Sequence, residues 1–343
     1  MTTNADQVKQ SVIEYCASIG KDPLLVQGAG GNVSWKDGDT LWVKASGTWI
    51  ADAAEQDIFV PVDLAHLHDA IKQQDFDVTP RIIGDSTLRP SIETLLHALM
   101  PHRIVVHLHS VVILAILVRE HCEDVLSALV DKTISWSVVD YQKPGPALAQ
   151  AISIVLVKNA SLDVLFLKNH GVVIGGQSVE EIQCMLTQLN ELLYEPGNRK
   201  QPILALDNEC EALREEGYSL LPDPEMQALA LDPEFFNRLA SNWALYPDHV
   251  VFLGAEAPVF SDWNEFHVTA HSIDRKPELI IIQGSGVFIL PTFNKSKLDQ
   301  LRCYYDVLSA LPCDVKLKVL DEKAVGDLLN WDAEKYRMSI VKM

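Results

Sequence analysis

Residues 103–109 read RIVVHLH, and no other segment constrains the fold as strongly. Its β-branched side chains suit an extended chain. In a strand successive side chains leave on opposite faces, so His107 and His109 leave on the same face, separated by about two rises of about 3.3 Å each. Both imidazoles can therefore reach one ion. A tetrahedral zinc takes histidine nitrogen at about 2.0–2.1 Å, and a catalytic zinc typically has three protein ligands and one open position. A lone HxH is more often a pair of exposed or hydrogen-bonded histidines, so the metal reading needs a third ligand. His170 qualifies: it ends the strand-like VLFLKNH and precedes Gly171, where the missing side chain lets backbone turn sharply and approach closely.

The segments around these histidines alternate in character. Residues 5–19 place Val8, Val12, Ile13 and Cys16 at helical spacing and end at Gly20, which predicts an amphipathic helix closed by a left-handed glycine. GAGGNVSW (28–35), a polar KDGDT turn and LWVKASG (41–47) predict a strand hairpin. SIETLLHALM (91–100) has a helical pattern and places Glu93 in a helix just ahead of the HxH strand. An isolated glutamate there is ordinarily a solvated first-turn carboxylate. TISWSVVD and DVLFLKNHGVVIGG predict strands on either side of a helix starting near Pro146, and Ser178 with Glu181 has capping-box spacing for a helix running to about Tyr194.

A proline-broken acidic stretch from EPGNRKQP onward predicts a boundary at about residue 200, dividing 1–200 from a C-terminal module, 201–343. In that module HVVFL and ELIIIQGSGVFIL read as strands and KSKLDQLRCYYDVLSAL as a helix, giving a small α/β unit. The formal net charge of −19 argues against broad nucleic-acid binding, which depends on lysine and arginine replacing counterions. The same charge repels an anionic substrate, so its site must supply local positive potential from a metal, backbone N–H groups or placed cations. The six cysteines are scattered without a CxxC pair, and no secretory pattern opens the chain, so a reduced cytoplasmic setting is expected. The longest apolar run, Val111–Val118, is too short to span a bilayer.

GGNVS (30–34), KASG (44–47), PSIE (90–93) with His97 after it, VVHLHS (105–110) and KNHGVVIGG (168–176) stand in one order, and together they resemble the class II aldolase/adducin family. The resemblance covers most of residues 5–195. It implies a three-layer α/β/α domain with a mainly antiparallel central sheet, to which the small C-terminal α/β module is added. It also implies a metal, most commonly zinc, on His107, His109 and His170, with Glu93 as the acid/base. A phosphate pocket is implied at Asn32, Ser46, Gly47 and Ser91. Several family members carry a second serine immediately before the glutamate, where this chain has Ile92, so phosphate contacts differ there.

YPDHVVFLG, GSGVF followed by NKSK, and NWDAEKYR are similar to the aldolase half of bifunctional rhamnulose-1-phosphate aldolase/alcohol dehydrogenase proteins. No dehydrogenase signature accompanies them, since Gly284-Ser285-Gly286 does not extend to a dinucleotide fingerprint. The resemblance implies a homo-oligomeric lyase that cleaves a ketose phosphate or related sugar through an enediolate. Epimerisation, dehydration or decarboxylation of a sugar phosphate on the same ligands stays open, as does a non-catalytic, adducin-like scaffold. His97 either shapes the site or packs against the strand. His66 and His68 repeat the HxH spacing, but on a helical segment where such side chains diverge. Lys295 and Lys297 read as solvated, with anion contact the lesser alternative.

Overall fold

A computed structural model describes residues 4–197, 215–270 and 276–333. A seven-stranded sheet forms its centre, built from β1 (Asn32–Asp37), β2 (Thr40–Lys44), β3 (Phe59–Asp63), β4 (Ile104–Leu108), β5 (Trp136–Val139), β6 (Val164–Leu167) and β7 (Gly171–Gly176). The spatial order is β3-β2-β1-β4-β7-β6-β5, antiparallel throughout except for the parallel β5–β6 pair. Antiparallel pairing lets short turns join neighbours, and β1–β2 is the expected hairpin.

The alternation of β4 assigns the two faces. Ile104, Val106 and Leu108 enter a core shared with helices α1 (Asn4–Ile19), α4 (Val111–Leu117), α5 (Cys122–Leu129) and α7 (Val179–Leu193). Val105 points the other way, into the apolar layer formed by α3 (Thr94–Leu99) and α6 (Pro146–Lys158), while α2 (Leu64–Lys72) covers β2 and β3 beside them. The result is the expected three-layer α/β/α domain. His107 shares the face of Val105, and so lies beneath the start of α3.

The C-terminal module contains a four-stranded sheet, β8 (Ser219–Leu220), β11 (Gly286–Ile289), β10 (Leu279–Ile282) and β9 (Val259–Phe260), in that spatial order. Helices α8 (Ala228–Leu231), α9 (Pro233–Leu239), α10 (Pro247–Leu253), α11 (Trp263–Ala270), α12 (Lys295–Ser309) and α13 (Glu322–Leu329) accompany it. Its core includes Leu245, Tyr246, Ile281, Leu301 and Tyr305, together with Val111, Leu114, Ala115 and Val118 from the α4 region. The other side of α4, through Ile113, Ile116 and Leu117, belongs to the first core. This helix is apolar nearly all round because two cores share it. The expected boundary near residue 200 lies outside the described residues, as does the end of NWDAEKYR.

Several local expectations need correction. HVVFL is the helix α10, not a strand: Pro247 occupies a first-turn position, and a short buried apolar run has no periodicity that separates helix from strand. Gly20 is not left-handed. A Cβ there would strike the backbone of Ile50 and Ala51, so close approach of the short 3-10 helix Ile50–Ala54 demands the glycine. Glu93 stands at the N-cap of α3 rather than inside it, and His170 lies in the β6–β7 turn rather than at a strand end.

Candidate functional site

Two of the three histidines sit where a strand ends and one in a tight turn, so each is held by backbone that cannot drift far. His107 is the penultimate residue of β4, and His109 follows the strand directly. Lys168, Asn169 and His170 join β6 to β7, with Leu167 and Gly171 paired across the turn. Asn169 takes the left-handed conformation, φ 52°, which asparagine tolerates better than most residues. A Cβ on Gly171 would collide with the Leu108 carbonyl and lie 3.2 Å from His107 Cε1, so the close approach expected of Gly171 is present.

The three imidazoles converge through one type of atom. His107 Nε2 lies 3.3 Å from His170 Nε2 and 3.2 Å from His109 Nε2. A tetrahedral ion with nitrogens at about 2.0–2.1 Å sets them about 3.3–3.4 Å apart, and the two separations from His107 fit such an ion. The three residues are buried, and one ligand atom from each falls within 4.8 Å of the others. His107 Nδ1 is 3.1 Å from the Val172 carbonyl, which favours the tautomer with the proton on Nδ1 and the Nε2 lone pair facing the centre.

Glu93 is buried beside this centre, so the solvated-carboxylate reading does not hold. Its carboxylate oxygens lie 3.5 Å from His170 Nε2 and 3.7 Å from His107 Nε2. Asn32 Nδ2 donates to Glu93 Oε2 at 2.6 Å, because β1 and β4 pair Asn32 with His107 and put both on the α3 face. Ser91 Oγ accepts from the Glu93 amide at 3.2 Å and so fixes the turn that presents the carboxylate.

One pocket brings together Asn32, Ser46, Gly47, Ser91, Glu93, His109 and His170, while His107 lies wholly buried behind them. The loop carrying Ser46 and Gly47 is laced to the PSIE segment by the Ala45–Pro90 bridge and by the Ser46 amide on the Arg89 carbonyl, 2.9 Å. GAGGN forms a turn in which the Gly30 amide donates to the Gln27 carbonyl at 3.0 Å. Ile92 also lines the pocket.

Two lining residues received no role from the sequence. Lys44 is only 2% exposed, and its ammonium donates to the Thr48 carbonyl at 2.7 Å. Its place in KASG was the available signal. Asp248, at the start of α10, puts Oδ2 3.5 Å from His109 Nδ1. YPDHVVFLG contained it, but nothing in the local pattern marks a carboxylate whose contact lies in another module.

The remaining expectations separate from the site. His97 is buried with Nδ1 2.8 Å from Ser34 Oγ, and desolvation, then His107 and Lys36, pushes its pKa down to about 3. It packs behind the site as a neutral ring. His66 and His68 lie on α2 and reach the carbonyls of Thr79 and Ala98, each at 3.3 Å. Lys297 is largely buried and pairs with Glu278 rather than being solvated, whereas Lys295 is 71% exposed, as expected of a solvated lysine, with its ammonium 4.2 Å from the Trp49 ring. Cys16, Cys122, Cys184, Cys303 and Cys313 are free thiols, while Cys210 falls outside the described residues. Among the described residues no helix is long and apolar enough to cross a membrane.

A three-layer domain with a mainly antiparallel sheet and a buried three-histidine centre is a class II aldolase-like domain. The family model described as Class II Aldolase and Adducin N-terminal domain matches residues 10–194, and the chain belongs to that family. A relative from Bacillus subtilis (strain 168), the uncharacterized oxidoreductase YuxG, is 25% identical over 300 residues, covering 74% of this chain. This chain spans 42% of that relative's length. Among solved structures, the N-terminal class II aldolase domain of a conserved Thermoplasma acidophilum protein is 24% identical, with TM-score 0.47, covering 56% of this chain and 95% of that one. An L-fuculose 1-phosphate aldolase is 19% identical, with TM-score 0.41, covering 63% of this chain and 97% of that one.

Proposed function

We propose that this chain is a divalent-metal-dependent aldolase, using zinc on His107, His109 and His170 to cleave a carbon–carbon bond in a ketose phosphate or related sugar. The observation that carries the reading is the convergence of three buried histidines, with His107 Nε2 at tetrahedral spacing from both His109 Nε2 and His170 Nε2 and the Glu93 carboxylate against two of the three rings. The ion, when bound, supplies Lewis-acid stabilisation of the charge that develops as the bond breaks.

Glu93 is the proton carrier. Asn32 holds one of its oxygens, Ser91 fixes its backbone, and burial keeps bulk water from competing for the proton. The Ser46 and Ser91 hydroxyls and the Gly47 backbone line the end of the pocket that receives the substrate's anionic group. Lys44 adds a buried positive charge there, which offsets the repulsion expected from a net charge of −19. Ile92 lines the same pocket and contributes an apolar side chain rather than a hydroxyl.

Screening ketose phosphates and related sugars for metal-dependent cleavage tests the reaction. Glu93→Gln tests the role, because it keeps the shape and removes the titrating group. Turnover should fall by about 10²–10⁴-fold with the metal still bound. Near-normal turnover of the metal-loaded variant would remove Glu93 from the mechanism.

A further inference from the structure

We propose that Asp248 is a positioning residue of the metal centre, holding His109 through Nδ1 so that Nε2 faces the ion, and that the C-terminal module is thereby part of that centre. The proposal rests on the metal reading given above.

His109 has one nitrogen for each task. Nε2 stands 3.2 Å from His107 Nε2 and points into the centre, while Nδ1 points away and lies 3.5 Å from Asp248 Oδ2. A carboxylate at that nitrogen favours the neutral tautomer with its proton on Nδ1, and it raises the basicity of the nitrogen that binds metal. His107 is oriented in the same sense by a weaker acceptor, the Val172 carbonyl. The two strand histidines thus have their outward nitrogens met by different modules.

Asp248 is 4% exposed, and burying a carboxylate is costly unless its charge is compensated. A divalent ion on three neutral imidazoles carries two positive charges and Lys44 in the same pocket a third, against the two negative charges of Glu93 and Asp248. The carboxylate therefore suits the loaded centre electrostatically.

The surrounding contacts hold this geometry. A Cβ at Gly30 would lie 2.9 Å from Asp248 Oδ2 and 3.1 Å from His109 Nδ1, so the glycine leaves room for the two to meet. Asn169, beside the third histidine, donates through Nδ2 to the carbonyls of Leu245, at 2.9 Å, and Lys318, at 2.6 Å, both in the C-terminal module. Two of the three ligand positions are therefore braced from that module.

The test uses the full chain and zinc. Asp248→Asn keeps the shape and removes the charge, and competition against a chromophoric chelator should show zinc binding about 10–100-fold weaker. Cobalt-loaded Asp248→Asn should show shifted d–d absorption, a signature that a merely structural role would not move. Unfolding of the metal-free variant checks its fold. If Asp248→Asn fails to fold, Gly30→Ala, which wedges between the partners while leaving both present, is measured by the same two readouts. Zinc affinity within about twofold of the unaltered protein, together with an unchanged cobalt spectrum, would overturn the proposal. His107→Ala separates the two levels: if it loses zinc while Asp248→Asn does not, only the Asp248 role fails. If the unaltered chain binds zinc no better than His107→Ala, the metal reading fails and the proposal falls with it.

Discussion

His249 gives the sharpest quantitative expectation. Its ring is wholly buried, with centroids of Trp243 at 4.4 Å, Tyr304 at 4.6 Å and Tyr246 at 5.6 Å. Burial pushes its pKa from 6.5 down to about 3, and His97 is lowered to a similar value. Between those limits the unfolded chain takes up a proton at each ring and the folded chain does not. Stability therefore falls as pH drops below 6.5, and this loss stops near pH 3. Each group contributes about 1.4 kcal/mol per pH unit, so going from pH 7.5 to 5 costs about 2 kcal/mol per ring and about 4 kcal/mol for the pair. The perturbation is His249→Leu, which keeps an apolar ring of neighbours around a side chain of similar volume. Urea unfolding of metal-free protein at both pH values provides the assay, with chelator present so that ion release does not contribute. The metal-site histidines are common to both proteins, so the difference in pH dependence isolates His249. The variant should lose about 2 kcal/mol less than the unaltered protein over this interval. An undiminished loss would refute the assignment of His249 as a ring that folds neutral.

Substitutions at two further positions probe the turn that carries the third histidine. Asn169→Ala removes the side-chain donor to Leu245 and Lys318 and forces alanine into φ 52°, so stability should fall by about 2–4 kcal/mol, measured by chemical denaturation. Asn169→Gly, which relieves the backbone cost, should fall between alanine and the unaltered residue. Gly171→Ala places a methyl against the Leu108 carbonyl and both strand histidines; zinc affinity should drop at least tenfold by chelator competition, while Ala at exposed Gly38 should leave it unchanged.

The readable parts of this molecule were those set by neighbours in the chain. Period-two spacing in β4 placed His107 and His109 together, and the Ser178–Glu181 spacing marked a helix start that the structure contains, with Ser178 Oγ accepting from the Glu181 amide. Glu93 was identified through its motif, not through its own chemistry, since its burial follows from α3 lying over β4. Asp248 was missed because its meaning depends on His109, far away in sequence, and because α10 has too short an apolar run to declare its periodicity. Gly20 was misread for a related reason: the atom that excludes a side chain belongs to the Ile50–Ala54 segment, not to the helix it ends.

The double use of α4 has a consequence during synthesis. Val111, Leu114, Ala115 and Val118 leave the ribosome well before Leu301, Tyr304 and Tyr305, which help to cover them. At about 5–20 residues per second, that face waits on the order of 10–40 seconds for its cover. A nascent chain of this protein therefore carries a transient sticky stripe until Leu301, Tyr304 and Tyr305 arrive to cover it.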